Sequence, residues 1–437
     1  MATKKRADAA IASEAHVSTD AETLLMAALE RGGDTSKTGR FLMTFKEGAM
    51  DAGIKHLESH RGLRLAHARD FKDQAVMLEE AGYADAVVFP DIHVALMGGA
   101  AAAERGLTAD TSIAEDGPVL SIDPEYFVFA NGINVADYMK GVVRTAEMIA
   151  RDLSAGVGAE EEITPEVLGV TWGLTACKAP PSTRDGNGIK VAVLDDGFDL
   201  GHPEFAGRSF TTATFVGSPI TGLSGHGTDV AGTACGPKAP AGPIRRYGIG
   251  FRTRIFIGKV LTDSGSGTQA QVLAGMNWAV GNRCEVICIA LGGPGGVQPS
   301  YTAAGQAALN NGCLMIASAG QSGPALGTVG APANSPTIVS VGAVDMSLAP
   351  ATFSSRGKID IAGPGVDVFS SWPRPLLHRT LSGTSSSAAH VAGCAALWAQ
   401  TGPSLRGAAL RAKLFATARH LPFPATAVGA GLVQAPA

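Results

Sequence analysis

Hydrophobic and polar positions follow two different patterns along this chain, and the change falls at residues 154–163, a stretch rich in Gly, Ala and Glu. Before it, short segments that mostly alternate predict strands at 40–45, 63–69, 84–97 and 119–130. Apolar residues at helical spacing predict helices at 50–60 and 100–107. The resulting order, β-α-β-β-α-β, is typical of a small ferredoxin-like α+β unit of about 90 residues.

After this stretch the apolar runs are short and nearly continuous, and they predict buried strands at 189–194, 254–260, 285–291, 313–318 and 337–344. Helical patterns lie between the strands, notably at 269–280 and 303–310. Continuous apolar strands that alternate with helices indicate a parallel sheet covered on both faces. We therefore expect an α/β fold with a doubly wound, mainly parallel sheet, and reactive residues at the carboxyl ends of its strands.

The domain boundaries follow from these patterns. In the polar, Ala-rich N-terminal segment, Thr19 and Glu22 predict a capping box that starts a short helix, which ends at Gly32. An apolar stripe at helical spacing predicts a further helix at 134–153. We expect four segments: a tail with a docked helix at 1–37, a small domain at 38–131, a helix and linker at 132–168, and a large domain at 169–437.

Composition and charge disfavour several classes of function. The 437 residues carry 35 Lys and Arg against 39 Asp and Glu, and the net charge of −4 gives no electrostatic basis for binding nucleic acid or an anionic membrane. Asp8 and Glu14 interrupt the segment behind Lys4, so we expect no secretion signal and a cytoplasmic protein. The most apolar window, 94–103, is too short to span a membrane. The six cysteines include no CxxC pair and predict buried free thiols.

One stretch near the C-terminus, Leu381–Gly393, combines small residues with apolar ones at helical spacing. It predicts a tight turn at Gly383 that opens a buried helix, with Ser385 at the helix N-terminus. Unpaired N–H groups and the positive end of the helix dipole stabilise an oxyanion there, which is what a serine nucleophile requires. An ordinary Ser or Thr N-cap explains the same pattern when it stands alone.

Two further groups occupy comparable positions. Asp195 and Asp196 follow the first apolar strand of the large domain, where an acidic residue is also a common turn or cap residue. His226 lies in a glycine-flanked loop that leads into a helix of small residues. No second His or Cys stands three or four residues from it, which disfavours a zinc site. The order Asp, His, Ser is one of three in which hydrolytic triads occur.

At these motifs the chain resembles the subtilisin-like serine proteases, the subtilase family. The matching segments are Val191–Gly197, His226–Gly232 and Gly383–Gly393, and the resemblance covers roughly residues 170–437. It implies a serine endopeptidase that acts through an acyl-enzyme.

The resemblance also implies the catalytic roles. His226 takes the proton of Ser385 and passes it to the leaving amine, while Asp195 orients the imidazole and stabilises its cation. Asp196 is the competing carboxylate, but the family pattern places the catalytic acid first after the strand. Gln321 stands where the family usually has an asparagine oxyanion donor, and it carries the same amide one methylene further out.

A substrate cleft follows from the same resemblance, with an extended peptide held between two strand segments. The expected substrate-binding residues are Ser264, Gly265, Ser266, Gly267, Ala290, Leu291, Gly292, Gly293, Ser318, Ala319, Gly320 and Gly330. Gly330 resembles a pocket floor that leaves room for a large apolar or aromatic P1 side chain. A loop that often binds calcium in relatives contains no Asp or Glu at 236–250, so we expect no metal, and no cofactor is implied.

Secreted relatives carry a small pro-domain that assists folding and occupies the cleft until it is cut away. Residues 38–130 resemble it in element order, which implies an intramolecular inhibitor released between Phe129 and Trp172; an uncut accessory domain is the alternative. The partners would be protein or peptide substrates and this domain itself. Gln321 motivates a second hypothesis, a catalytically weak protease fold that binds a peptide or partner. The absence of a G-x-S-x-G elbow argues against an esterase or lipase.

Overall fold

A computed structural model describes residues 15–32, 34–104, 117–130, 169–222 and 224–437. The predicted helix at 134–153, the linker at 154–163 and the end of the helix at 100–107 lie outside these residues. The elements before the large domain are α1 (Ala21–Arg31), β1 (Lys37–Phe45), α2 (Met50–Arg61), β2 (Leu65–His67), β3 (Ala86–Phe89), β4 (Val94–Met97), α3 (Gly99–Glu104) and β5 (Val119–Ala130).

The N-terminal sheet is built around β1, which pairs antiparallel with β4 on one side and β5 on the other. Strand β3 pairs antiparallel with β4, and β2 lies parallel to β3 at the edge. The single strand predicted at 84–97 is wrong, because the chain forms a hairpin there. Pro90 starts a short 3₁₀ turn, Pro90–Ile92. His93 then adopts a φ of 58°, which lies in the left-handed region and not in the extended region of a strand.

The start of α1 also differs from the prediction. Asp20 is the N-cap residue, and its carboxylate accepts the backbone N–H of Thr23 at 2.8 Å. The capping box of Thr19 and Glu22 is therefore wrong by one residue. The predicted C-terminal stop is correct, since the chain leaves the helix at Gly32 with φ 67°.

The large domain follows, and its strands and helices alternate along most of the chain. In chain order the elements are α4 (Trp172–Ala176), β6 (Lys190–Asp195), β7 (Phe210–Thr214), α5 (His226–Cys235), β8 (Arg254–Lys259), β9 (Ser266–Thr268), α6 (Gln269–Gly281), β10 (Val286–Ile289), β11 (Leu291–Gly292), α7 (Pro299–Asn310), β12 (Leu314–Ser318), β13 (Val339–Val344), β14 (Ile361–Pro364), β15 (Val368–Ser371), β16 (His378–Leu381), α8 (Thr384–Gln400), α9 (Gly407–Thr417) and α10 (Ala425–Val428).

A seven-stranded parallel sheet in the order β14-β13-β12-β10-β6-β8-β7 forms the centre of this domain. Its five inner strands are the five that apolar runs predict. The two edge strands escaped the sequence pattern for different reasons. β7 is mostly polar and partly exposed, while β14 has only four residues and ends in a proline.

Helices cover both faces of the sheet, as the strand pattern predicts. Helices α5 and α8 pack side by side in one apolar cluster, which includes Val230, Ala231, Val391 and Leu397. Helices α6 and α7 cover the other face. The N-terminal sheet packs on these two helices, because its Leu42, Phe89 and Val128 share one buried cluster with Val272 and Trp278. No helix in the described part of the chain is both long and apolar enough to cross a membrane.

Candidate active site

Three elements of the large domain bring the predicted reactive residues to one edge of the sheet. Asp195 is the last residue of β6, and His226 is the first residue of α5, entered through Gly225 with φ 84°. The carboxylate of Asp195 accepts a hydrogen bond from Nδ1 of His226, with Oδ1 at 2.8 Å and Oδ2 at 3.0 Å. This bond fixes the imidazole so that Nε2 points away from the acid. Nε2 is buried and has no hydrogen-bond partner among the described residues.

Asp196, the competing acid, contacts the histidine loop but not the imidazole. Its Oδ1 accepts the backbone N–H of Gly227 at 2.7 Å, and its carbonyl accepts from the ammonium group of Lys259. Asp196 therefore holds the first turn of α5 against the end of β6. Only glycine fits at position 227, because a Cβ there would lie 2.1 Å from the carbonyl oxygen of Gly197.

The electrostatics of this edge are set by burial and by the charge of Asp195. Burial on its own lowers the pKa of His226, but the charge and hydrogen bond of Asp195 outweigh it and raise that pKa to about 9. Burial, with Asp195 as a neighbouring like charge, raises the pKa of Asp196 to about 7. Burial also raises the pKa of Asp229, one turn into α5, to about 7. The imidazolium form of His226 is thus strongly stabilised.

Ser385 is the second residue of α8, where backbone N–H groups of the first turn lack helical partners. Its hydroxyl donates to the carbonyl of Ala290 at 3.0 Å, so it lies at the point where β10 leads into β11. Gly383 precedes the helix in an extended conformation with φ 174°. Both reactive residues are buried, with Ser385 3% exposed and His226 7% exposed.

The predicted oxyanion donor lies beside this serine. A Cβ on Gly383 would stand 3.6 Å from Nε2 of Gln321, so the amide faces the turn that carries Ser385. The preceding residue, Gly320, has φ 101° and donates its N–H to the hydroxyl of Thr384 at 3.1 Å. The Gly320 turn is therefore fastened to the start of α8, which brings the two loops together.

The two strands predicted to hold a substrate are already paired with a strand of the same chain. β5 enters between them, antiparallel to both, with Val128 opposite Gly267, Phe129 opposite Ser266 and Gly292, and Ala130 opposite Leu291. The N–H of Ala130 also donates to the carbonyl of Gly265 at 2.8 Å. The last residues of the N-terminal domain therefore occupy the position that sequence analysis assigns to an extended peptide.

Of the remaining predicted cleft residues, Gly293 lies directly beside this strand. Gly293 exchanges backbone hydrogen bonds with Ala331 at 2.8 and 3.1 Å, and a Cβ on Gly293 would lie 2.7 Å from the carbonyl oxygen of Phe127. Gly330 lies against Gly293 in the same way, with its N–H donated to the carbonyl of Ala319 at 3.3 Å. Ser318, Ala319 and Gly320 form the end of β12 and the turn beyond it, and Ser264 lies on the rim before β9.

β5 is anchored at the cleft by contacts that the sequence did not predict. Glu125 is fully buried, and its Oε1 accepts the N–H of Ala270 at 2.9 Å in the first turn of α6. Next to it, the N–H of Tyr126 donates to Oε1 of Gln269 at 3.1 Å. An acidic residue at a helix N-terminus is favourable, but the helix and the acid are 145 positions apart in the sequence. No local signal connects them.

Among the described residues, one group of metal-binding side-chain types lies outside the cleft, formed by His202, Glu204 and His378. Polar contacts within the chain hold these side chains together. Nε2 of His202 donates to the carbonyl of Leu377 at 2.9 Å, and Glu204 accepts from the hydroxyl of Tyr247 and lies 3.1 Å from Nε2 of His378. The arrangement is that of a buried polar network that fastens the β15–β16 hairpin. The six cysteines are all buried and free, as their sequence context predicts.

A nucleophile type at a helix start, a histidine bonded to a strand-end carboxylate and a cleft that pairs with extended chain define a subtilisin-like serine endopeptidase. The chain belongs to the subtilase family, whose model matches residues 186–431. Among its relatives, subtilisin E of Bacillus subtilis (strain 168) is 34% identical over 288 residues, which is 64% of this chain and 74% of the relative. An alkaline protease of Shouchella clausii is 37% identical over 286 residues, with coverages of 64% and 72%.

The solved structures agree with this assignment. A cold adapted subtilisin-like serine proteinase superposes with a TM-score of 0.53 at 30% sequence identity, and the match covers 61% of this chain and 99% of that one. Subtilisin of Bacillus pumilus is 36% identical over 261 residues, or 58% of this chain and 92% of the relative. In this subtilase 185 residues precede the part that the family model matches.

Proposed function

We propose that this subtilase hydrolyses peptide bonds through Asp195, His226 and Ser385. Nε2 of His226 removes the hydroxyl proton of Ser385 as its oxygen attacks the substrate carbonyl, and the same proton then passes to the leaving amine. Water next attacks the acyl-enzyme in the reverse sense and frees the acid product. The hydrogen bond from His226 to Asp195 supports this role, because it fixes the tautomer and stabilises the cation formed at each step.

We further propose that the N-terminal domain inhibits the enzyme in cis. One observation carries this proposal: β5 completes an antiparallel sheet between β9 and β11, up to Ala130, where a substrate strand would have to pair. Main-chain hydrogen bonds of this kind accept any extended sequence, so the strand competes directly with substrate. Val128 faces the catalytic core and Ala130 lies nearest the reactive edge, which favours apolar and small side chains at the matching substrate positions.

The strand register suggests where self-processing takes place. Ala130 is paired with Leu291, and the residue before Leu291 is Ala290, whose carbonyl the Ser385 hydroxyl contacts. The described part of β5 therefore ends next to the proposed nucleophile. We propose that the processed bond lies after Ala130, within the interval between Phe129 and Trp172 that the sequence assigns to release.

The test is a comparison of masses and labelling. The parent chain should convert to a product that begins after Ala130 and no later than Trp172, and Ser385→Ala should stay intact. A fluorophosphonate should label the converted parent and leave Ser385→Ala unlabelled. Identical full-length masses for both proteins would refute self-processing, and an unlabelled parent after conversion would refute the triad.

A further inference from the structure

A helix from the N-terminal segment covers the strand that lies in the cleft. The buried side chains of α1 follow helical spacing and form one face: Ala21, Leu24, Leu25 and Ala28. This face packs on Phe127 and Phe129 of β5 in a cluster of its own, joined by Ala15. The opposite face of α1 is solvent-exposed, with Met26 at 56%. Helix α1 is therefore amphipathic, and β5 provides the apolar surface on which it docks.

The burial of β5 shows the effect of this docking. Three consecutive residues, Phe127, Val128 and Phe129, are each at most 1% exposed. Successive side chains of a strand point to opposite faces, so this run requires cover on both faces. The catalytic domain covers Val128, which shares the main core with Leu291, and α1 covers the two phenylalanines. Without α1, both aromatic rings would lose their apolar cover while the strand stayed paired.

A buried charge network couples the same segment to β5. Arg40 of β1 is 1% exposed and donates from Nη1 to the carbonyls of Val17 and Thr19, at 2.9 and 3.2 Å. From Nε and Nη2 it forms a bidentate pair with Glu125 at 2.6 and 3.0 Å, and Nη2 also donates to the hydroxyl of Thr268 at 3.1 Å. These bonds use the five N–H donors of the guanidinium group.

Loss of the segment before α1 would therefore leave two donors of a buried cation without acceptors. A buried cation with unpaired donors destabilises the fold, because hydrogen bonds no longer compensate for its desolvation. Arg40 shares Glu125 with the N-terminus of α6, so the disturbance would reach the contact that anchors β5 on the catalytic domain. Helix α1 itself contacts the loop before β9, where the hydroxyl of Ser264 donates to Glu22 at 3.4 Å.

We propose that residues 15–31 form a strap that locks β5 in the cleft, and that displacement of this strap is the step that permits release of the inhibitory strand. The proposal rests on the autoinhibition proposed above and adds its control. The chain's own amphipathic helix thus covers the outer face of β5. It is held by its apolar face and by the hydrogen bonds from Arg40 to the carbonyls of Val17 and Thr19. The strap acts on β5 and leaves the reactive residues untouched.

The test uses the full-length chain carrying Ser385→Ala, so that no cutting occurs, and measures hydrogen–deuterium exchange of the β5 amides. Leu25→Asp places a charge on the buried face of the strap, and Met26→Asp places the same charge on its exposed face. Exposing even one of the two aromatic rings corresponds to at least about tenfold faster opening of β5. We expect that increase for Leu25→Asp and a change of less than about twofold for Met26→Asp.

Two internal standards separate local release from unfolding. Exchange in β6 reports on the catalytic core, and exchange in β3 reports on the rest of the N-terminal domain. If the β3 amides also exchange faster in Leu25→Asp, the milder variant Leu25→Ala replaces it in the comparison. Leu25→Ala should accelerate exchange of the β5 amides and leave that of the β3 amides unchanged. With Ser385 intact, Leu25→Asp should shorten the lag before peptide hydrolysis and Met26→Asp should not.

The outcomes distinguish the strap from the inhibition on which it rests. Slow β5 exchange that is equal in Leu25→Asp, Leu25→Ala and Met26→Asp would overturn the strap and leave autoinhibition standing. If the β5 amides of the parent exchange as fast as those of an exposed strand, the strand is not held in the cleft, and both proposals fail.

Discussion

At the scale of single residues, the proposed chemistry depends on how three buried carboxyl groups surround one imidazole. Asp195 bonds His226 directly, whereas Asp196 and Asp229 are driven towards their neutral forms by burial. The hydrogen bond and charge of Asp195 make the larger contribution to the raised pKa of His226, and Asp196 and Asp229 add to it. Asp195 bonds the imidazole, whereas the carboxylate of Asp196 bonds the backbone of Gly227.

The pH dependence of hydrolysis follows from this arrangement. His226 accepts a proton only when it is neutral, so activity is low below its pKa and rises as pH passes through it. Because Asp195 raises that pKa above the ordinary value of 6.5, towards about 9, the ascending limb of kcat/KM should lie in the alkaline range. The measurement is a pH profile of the processed enzyme.

Asp195→Asn is the matched variant for this profile. It should lower kcat by roughly 10⁴-fold, the loss known for the equivalent change in other serine proteases, and move the limb to lower pH. Asp196→Asn should move the limb less, because its contact is with the backbone of Gly227. If the ascending limb of kcat/KM for the parent enzyme is centred at or below pH 6.5, the raised pKa of His226 is contradicted.

The oxyanion position makes a second prediction at this scale. Gln321→Ala should reduce kcat by about 10²–10³ with little change in KM, because the bond forms mainly in the transition state; that magnitude is the one known for removal of this donor in subtilisin. Gln321→Asn keeps the amide and should retain more activity than the alanine variant. Equal kcat for the parent and Gln321→Ala would remove Gln321 from the mechanism.

At the scale of elements, a position without a side chain lets α4 pack against the first turns of α8. His390 lies one turn after Ser386 and bonds its carbonyl through Nδ1 at 2.8 Å. On its other side the ring meets α4, where a Cβ on Gly173 would lie 2.3 Å from Nε2. Burial lowers the pKa of His390 to about 4, so the ring is neutral at working pH. Helix α4 therefore wedges the first turns of α8 only because position 173 lacks a side chain.

This contact predicts a stability change. Gly173→Ala should destabilise the large domain by about 1–3 kcal/mol, since the added methyl overpacks a buried site. Gly296→Ala is the control, because nothing lies within 4 Å of a Cβ there. Both variants are compared in the Ser385→Ala background by urea unfolding. A shift in midpoint that is equal for the two variants would show that the ring moves aside at no cost.

At the scale of the whole molecule, the N-terminal domain and the large domain share one apolar core. The 3₁₀ turn Pro90–Ile92 contacts α6 and α7, and the N–H of Asp91 donates to Oδ1 of Asn277 at 2.9 Å. Neither surface would be stable in water as a large exposed apolar patch. A cut in the chain is therefore not sufficient to separate the two domains. The shared apolar core, the pairing of β5 and the strap still hold them together.

Local sequence determined much of this architecture. The five inner strands were predictable because continuous apolar runs reflect burial on both faces. The ends where Asp195, His226 and Ser385 lie were predictable because turn glycines, small residues and helix starts leave local signals. The order of these motifs indicated the resemblance to subtilases, and that resemblance supplied the expected residues of the cleft.

Tertiary structure alone decided the rest, because those features depend on partners far apart in the chain. Nothing in residues 84–97 marks a hairpin except Pro90, and β7 and β14 become strands only by pairing with a buried neighbour. Arg40 and Glu125 are 85 positions apart, and no periodicity predicts that they would meet beneath a helix from the N-terminal segment. The sequence by itself specified which chemistry the chain carries; long-range packing specified which of its own strands lies in front of that chemistry.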